Sequence, residues 1–219
     1  CLTMTGCSAL NFSVEGLINA PKLTSEQSEI HQALIESVGS NITLKYPKNG
    51  EYRSAYVIAN IDDEPTDEAM VFYEYTSNGS EEDGLRVNIL DKDEDGKWYS
   101  VKELAGAGTD IDQVIISPMG SNNQTDVFVG YQNLTNDEKT MEIYSYTDGD
   151  FKRVALDTYS VLEPLDINND GYIELITIQR STNNDTGAVT AKASMLNMKN
   201  NEITRGENVD MCDNVTSYV

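Results

Sequence analysis

The residues with the most definite chemical pattern run Asp166-Ile-Asn-Asn-Asp-Gly-Tyr-Ile-Glu-Leu175. Side-chain oxygens fall at Asp166, Asn168 and Asp170, Gly171 follows where a sharp turn needs it, and Glu174 comes three residues later. Alternating oxygen donors ending in glycine form the first half of a calcium loop, in which every second side chain faces a hard cation. Between helices such a loop is closed by a bidentate Glu at position twelve, but here that position is Thr177. Glu174, at position nine, is the late carboxylate. The flanks, PLDI and IELITIQ, are rich in β-branched and aliphatic residues, which suit strands. The pattern predicts a calcium-type turn between two strands.

Those strands belong to a repeat. From Tyr46 onward the apolar period is two, and the plan of apolar run, acidic turn, apolar run occurs three times. It appears as YVIANIDDEPTDEAMVFYEY, VIISPMGSNNQTDVFVGYQ and VLEPLDINNDGYIELITIQ. The carboxylate opening the second run is Glu68, then Asp126, then Glu174. A hairpin turn followed by a bulky residue also recurs, at Trp98, Phe151 and Ile203, with intervals of 53 and 52 residues. Units of about fifty residues with four short strands are the signature of propeller blades. The expected fold is all-β, a β-propeller-like array of about three four-stranded antiparallel blades. The units are drawn at 46–108, 109–158 and 159–209, with a fourth opening at 210–219. Trp98, Phe151 and the tyrosines are expected to pack between blades. Three blades do not close a propeller, which takes about four to eight, so the array is expected to be part of a larger one.

Ahead of the repeats, Thr24-Ser-Glu-Gln27 is a capping box. Ile30, Ala33, Leu34 and Val38 follow at helical spacing, and Gly39 supplies a stop. One N-terminal α-helix is expected over 24–39, its apolar face covering part of the β domain. His31, the only histidine, is expected on its solvated side. Residues 8–23 read as a tether.

Composition narrows the partners. With 37 acidic and 15 basic residues the formal charge is −22, spread along the chain. Such a surface repels phosphate backbones and anionic lipid, which argues against nucleic acid and favours neutral or cationic partners. The cysteines are Cys1, Cys7 and Cys212, with no CxxC pair, so zinc, iron–sulfur and disulfide frameworks have no support.

The stretch Leu2-Thr-Met-Thr-Gly-Cys7 resembles a bacterial lipobox, which implies lipidation of Cys7, with 1–7 the remnant of a signal sequence. The turn DINNDGYIEL resembles the DxDxDGxxDL turn of FG-GAP and VCBS-type propeller repeats. By position, that resemblance implies calcium held by side-chain oxygens of Asp166, Asn168, Asp170 and Glu174 and the Tyr172 carbonyl. The first unit is a degraded copy, Asn60, Asp62, Glu64, Asp67 and Glu68 with Pro65 replacing the glycine. The second keeps only Asp126. Asp and Asn also cap their own backbone without metal. Calcium is the favoured reading in the third unit and the metal-free turn in the first two. The whole chain resembles an exported lipoprotein of Firmicutes type. That implies an extracellular, non-catalytic binding or scaffold module, lipid-anchored to the outer face of the cell membrane, with a glycan or protein ligand. A propeller-type glycoside hydrolase or a structural envelope component are the alternatives.

Overall fold

The computed structural model describes residues 23–62, 64–76, 84–119, 124–133, 138–182, 185, 187–199 and 202–213. The lipobox with Cys7, and the tether up to residue 22, lie outside them.

The helix α1, Ser25–Val38, begins where the sequence signals it. Thr24 accepts from the Gln27 N–H, and the Gln27 side chain accepts from the Thr24 N–H, each at 3.1 Å. It ends at Gly39, whose φ of 83° favours glycine and whose N–H donates to the Ile35 carbonyl. Ile30, Ala33 and Leu34 lie on its buried stripe. The stripe packs on the first sheet, against Val71, Tyr73, Leu90 and Trp98. His31 is not a free surface residue as expected: it is half-buried, with Nδ1 2.8 Å from the Tyr56 hydroxyl. The neighbouring strand, which helical periodicity cannot reveal, turns that flank of the helix into an interface.

Three antiparallel sheets follow in chain order. The first contains β1 (Ile42–Leu44), β2 (Tyr56–Ala59), β3 (Glu68–Tyr75), β4 (Leu85–Lys92) and β5 (Trp98–Ala105). Both β1 and β2 pair with β3, so one edge strand is supplied in two pieces. The first sheet therefore starts at Ile42, ahead of the expected 46, because three residues are too few to display a period. The second sheet is a plain meander of β6 (Asp110–Ser117), β7 (Asp126–Gln132), β8 (Lys139–Thr147) and β9 (Asp150–Tyr159). The third contains β10 (Val161–Leu165), β11 (Glu174–Thr182), β12 (Val189–Lys199), β13 (Glu202–Arg205) and β14 (Val209–Asp213). Here β13 and β14 both pair with β12. Residues 209–213 thus continue the outer edge of the third sheet instead of opening a fourth unit at 210; residues 214–219 lie outside the described residues.

The sheets pack in sequence, face on face. In β3 the alternation is complete: Ala69, Val71 and Tyr73 face the helix, while Met70 and Phe72 face the second sheet. Across the seam stand Val127, Val129 and Tyr131 of β7, with Tyr144 stacked on Phe151 at a ring separation of 5.3 Å. Phe128, on the other face of β7, joins Met141, Ile143 and Tyr159 against Leu162, Leu175 and Leu196 of the third sheet. Because β3 and β7 are covered on both faces, their sequences read as continuous apolar runs. Each large apolar side chain buried in these seams stabilises the fold by about 1.5–3 kcal/mol. Trp98 packs beneath the helix, whereas Phe151 packs between the first and second sheets.

Polar groups tie the same seams. Asp112, 2% exposed, accepts from Lys139 Nζ at 2.8 Å, the Tyr159 hydroxyl at 2.7 Å and Asn49 Nδ2 at 2.8 Å. Asn49 sits on the loop between β1 and β2, which leans across to the second sheet. The Lys48 and Asn49 N–H groups donate to the carbonyls of Ile111 and Asp112. Between the second and third sheets, the Arg205 guanidinium pairs with Asp157 and also donates to the Thr177 and Ser194 hydroxyls.

Candidate functional site

The three acidic turns share one construction. The pairs Ala59↔Glu68, Ser117↔Asp126 and Leu165↔Glu174 close them at the same interval. In each, the carboxylate accepts a hydrogen bond from the backbone N–H seven residues earlier: Ile61 to Glu68 at 2.8 Å, Met119 to Asp126 at 3.0 Å and Ile167 to Glu174 at 2.9 Å. A charged acceptor on a backbone N–H makes a strong bond, and here it pins the turn to the first residue of the next strand. The environments differ. Asp126 is fully buried and also accepts from the Ser145 hydroxyl, Glu68 is 3% exposed, and Glu174 is half-buried.

The turns of neighbouring sheets meet. The Ile173 N–H donates to the Pro118 carbonyl at 3.0 Å, joining the third turn to the second. The first turn shares a cleft with the β8–β9 hairpin of the second sheet. That hairpin turns through Asp148 and Gly149, with φ of 55° and 73°.

All five residues expected to bind calcium lie on the third turn. Asn168 and Asp170 are exposed; Asp166, Tyr172 and Glu174 are half-buried. Asp166 accepts from the N–H groups of Asp170 and Gly171 at 3.1 and 3.0 Å. Asn168 Oδ1 accepts from the Asp170 N–H at 2.9 Å, and Asp170 Oδ1 from the Tyr172 N–H at 3.0 Å. Positive φ at Asn169 (58°) and Gly171 (89°) lets the backbone curl around these acceptors. By type the donors, three carboxylates and an amide oxygen, suit a hard cation. Their present arrangement is the Asx network of a turn that satisfies its own N–H groups. Among the described residues, no three His, Cys, Asp or Glu side chains converge closely enough to hold a metal ion.

The first turn solves the same problem differently. The Asn60 amide donates to the Glu64 and Thr66 carbonyls, and Asp62 Oδ1 accepts from the Glu64 N–H, so Pro65 needs no glycine-like conformation. Beside it lies a cavity of about 180 Å³ at the end of the seam between the first and second sheets. Asp62, Glu64 and Glu68 line it from the turn, Asp91, Tyr99 and Lys102 from β4 and β5, and Asp150 and Phe151 from β9. Lys102 is drawn away to the second sheet, donating to Asp150 at 2.6 Å and to the Phe151 carbonyl at 2.8 Å. Glu68 has no such cation: among the described residues it forms no ion pair, and its buried Oε1 has no hydrogen-bond partner. Burial pushes its carboxyl up to about 7; the Ile61 and Asp62 N–H groups oppose the shift, and the charges of Asp62 and Asp91 reinforce it.

The alignment of the repeats marks Glu68 as an anchor, but not as a buried, half-satisfied acid. The cleft it lines is shared with the β8–β9 hairpin, some eighty residues downstream. No local signal encodes such a contact. Comparison with family models, with curated proteins and with solved structures gives no match.

Proposed function

We propose that this chain is a non-catalytic binding or scaffold module built of propeller-like blades, exported and held on the outer face of a bacterial membrane by a lipid on Cys7. The observation that carries this reading is the threefold construction: three antiparallel sheets stacked face on face, each with the same carboxylate-braced turn. Sheets arrayed in this way present their loops together, and binding surfaces are commonly built on such loops. The outer face of the third sheet carries Ile176, Ile178 and the 39% exposed Met195, a surface that a further blade would cover. The acidic excess directs the module to a glycan or a basic protein patch and away from nucleic acid.

Calcium in the third turn belongs to the same proposal. Asp166, Asn168, Asp170, Glu174 and the Tyr172 carbonyl would hold it, and the ion would neutralise the carboxylates and rigidify the turn. A ligand that binds only the folded state raises its stability by mass action. Calcium is therefore expected to raise the melting temperature and Asp166→Ala to remove most of that rise. Equal melting with calcium and with chelator would leave the turn to its Asx hydrogen bonds. The anchor is tested by fractionating a Gram-positive host expressing the complete gene. The wild type should be recovered with membranes and Cys7→Ala in the medium; equal release of both would refute lipidation. Binding itself is tested on a panel of glycans, basic peptides, heparin and DNA, and tightest binding to the polyanions at physiological salt would overturn the proposal.

A further inference from the structure

The cleft beside Glu68 has a composition that the fold does not need. Among the described residues five carboxylates line it against one lysine, and that lysine is engaged with Asp150. Tyr99, 45% exposed, and Phe151 give it an apolar wall. Its volume of about 180 Å³ exceeds what one dehydrated metal ion fills, and its acids do not converge as metal ligands do. It is the size of a short carbon stem with a polar head. Glu68 contributes a buried oxygen with no partner, and leaving a buried charged acceptor unpaired is costly. The brace on the Ile61 N–H uses the other oxygen, so the turn would hold without a second acceptor.

We propose that this cleft binds an organic monocation, a primary ammonium or guanidinium group that donates to Glu68 while its carbon stem lies against Tyr99 and Phe151. The N–H donors complete the hydrogen bonding of Glu68, the positive charge answers Asp62 and Asp91, and the aromatic ring faces favour a cation with an apolar stem. The carboxylate form is required. Because burial holds the Glu68 carboxyl up near 7, an incoming ammonium ionises it and expels its proton at neutral pH. The groups facing it, Asp62, Glu64, Asp91, Tyr99, Lys102 and Asp150, bring a single cation among them. The site stands on the cleft alone, so loss of the lipid anchor or of the calcium response would leave it intact.

The test is calorimetric titration of the full chain at pH 7 with n-butylammonium and n-butylguanidinium chloride. The controls are n-butanol, which has the stem without the charge, and tetramethylammonium, which has the charge without N–H donors. Both N–H cations should bind, and Glu68→Gln should weaken them at least tenfold, while Asp95→Asn on the β4–β5 turn outside the cleft leaves them unchanged. Binding to wild type should release protons, seen as a dependence of the heat on the buffer's ionisation enthalpy, and the glutamine variant should lose that dependence. Should Glu68→Gln fail to fold, Tyr99→Ala at the exposed wall serves in its place, with several-fold weaker binding expected. N-acetyl-lysine methylamide separates the sources: binding tighter than butylammonium indicates a side chain on a partner protein, and equal or weaker binding indicates a free amine. The proposal is overturned if the variants bind as wild type, if either control binds as tightly, or if calcium alone fills the cleft with the same dependence on Glu68.

Discussion

Replacing Glu68 by glutamine should stabilise the protein, by an amount that grows as pH rises from about 4.5 through 7. The carboxyl is raised from 4.5 to about 7 in the folded chain. Between those values the native state keeps a proton that the unfolded state has released, so stability falls as pH rises. The contribution is fully present below about 4.5 and is lost as pH climbs through 7. At about 1.4 kcal/mol per unit, the whole window amounts to about 3 kcal/mol. Glutamine keeps an oxygen for the Ile61 N–H and places an uncharged amide where Oε1 lies, facing Asp62 and Asp91. Wild type and Glu68→Gln should therefore melt together near pH 4.5, and the variant should lead progressively up to pH 8 and then hold its lead. In a chain of this size about 3 kcal/mol corresponds to a rise on the order of 10 °C. Thermal melting by circular dichroism at half-unit steps of pH measures the difference curve, in which the other titrating groups largely cancel. A difference that stays flat from pH 4.5 to 8 would refute the reasoning, because the carboxyl would then titrate alike in the folded and unfolded chain.

Three further outcomes are expected from burial and packing. Asp126→Ala removes the buried acceptor of both the Met119 N–H and the Ser145 hydroxyl, and should cost at least about 3 kcal/mol in urea unfolding. Glu174→Ala removes the same brace from a half-buried turn and should cost about 1 kcal/mol, so equal losses would mean that burial does not set the strength of the brace. Gly130→Ala places a methyl group against the Tyr159 hydroxyl and the Phe128 ring, and should cost about 1–3 kcal/mol. A neutral result there would show that Tyr159 can swing away from Asp112 freely.

Local chemistry carried much of this architecture into the sequence. The helix was readable because its cap, stripe and stop agree, and the strands because turns with Gly96, Gly149 and Gly171 punctuate a period of two. The carboxylates Glu68, Asp126 and Glu174 were readable as a repeat, though their task was not. A seven-residue hydrogen bond to a backbone N–H leaves no trace in residue type beyond the acid itself. Contacts between distant elements stayed hidden. Asn49 reaching Asp112, His31 meeting Tyr56 and the β8–β9 hairpin sharing a cleft with Glu68 each depend on how finished sheets lie on one another. The short β1 and the split outer strand of the third sheet are silent for a different reason: each is too brief or too interrupted to hold a period.

The shared brace has an evolutionary consequence. It fixes where the chain leaves one strand and where it enters the next, whatever fills the span between. Polar Asx bonds fill it in the third sheet, and a proline with an asparagine clamp fills it in the first. The six residues inside the first and third brackets can therefore be exchanged without sliding the strands past each other, since register depends on the acid at the end. The first and third sheets thus carry cassettes open to mutation, in which one copy can drift toward a metal or a ligand while the other keeps the fold.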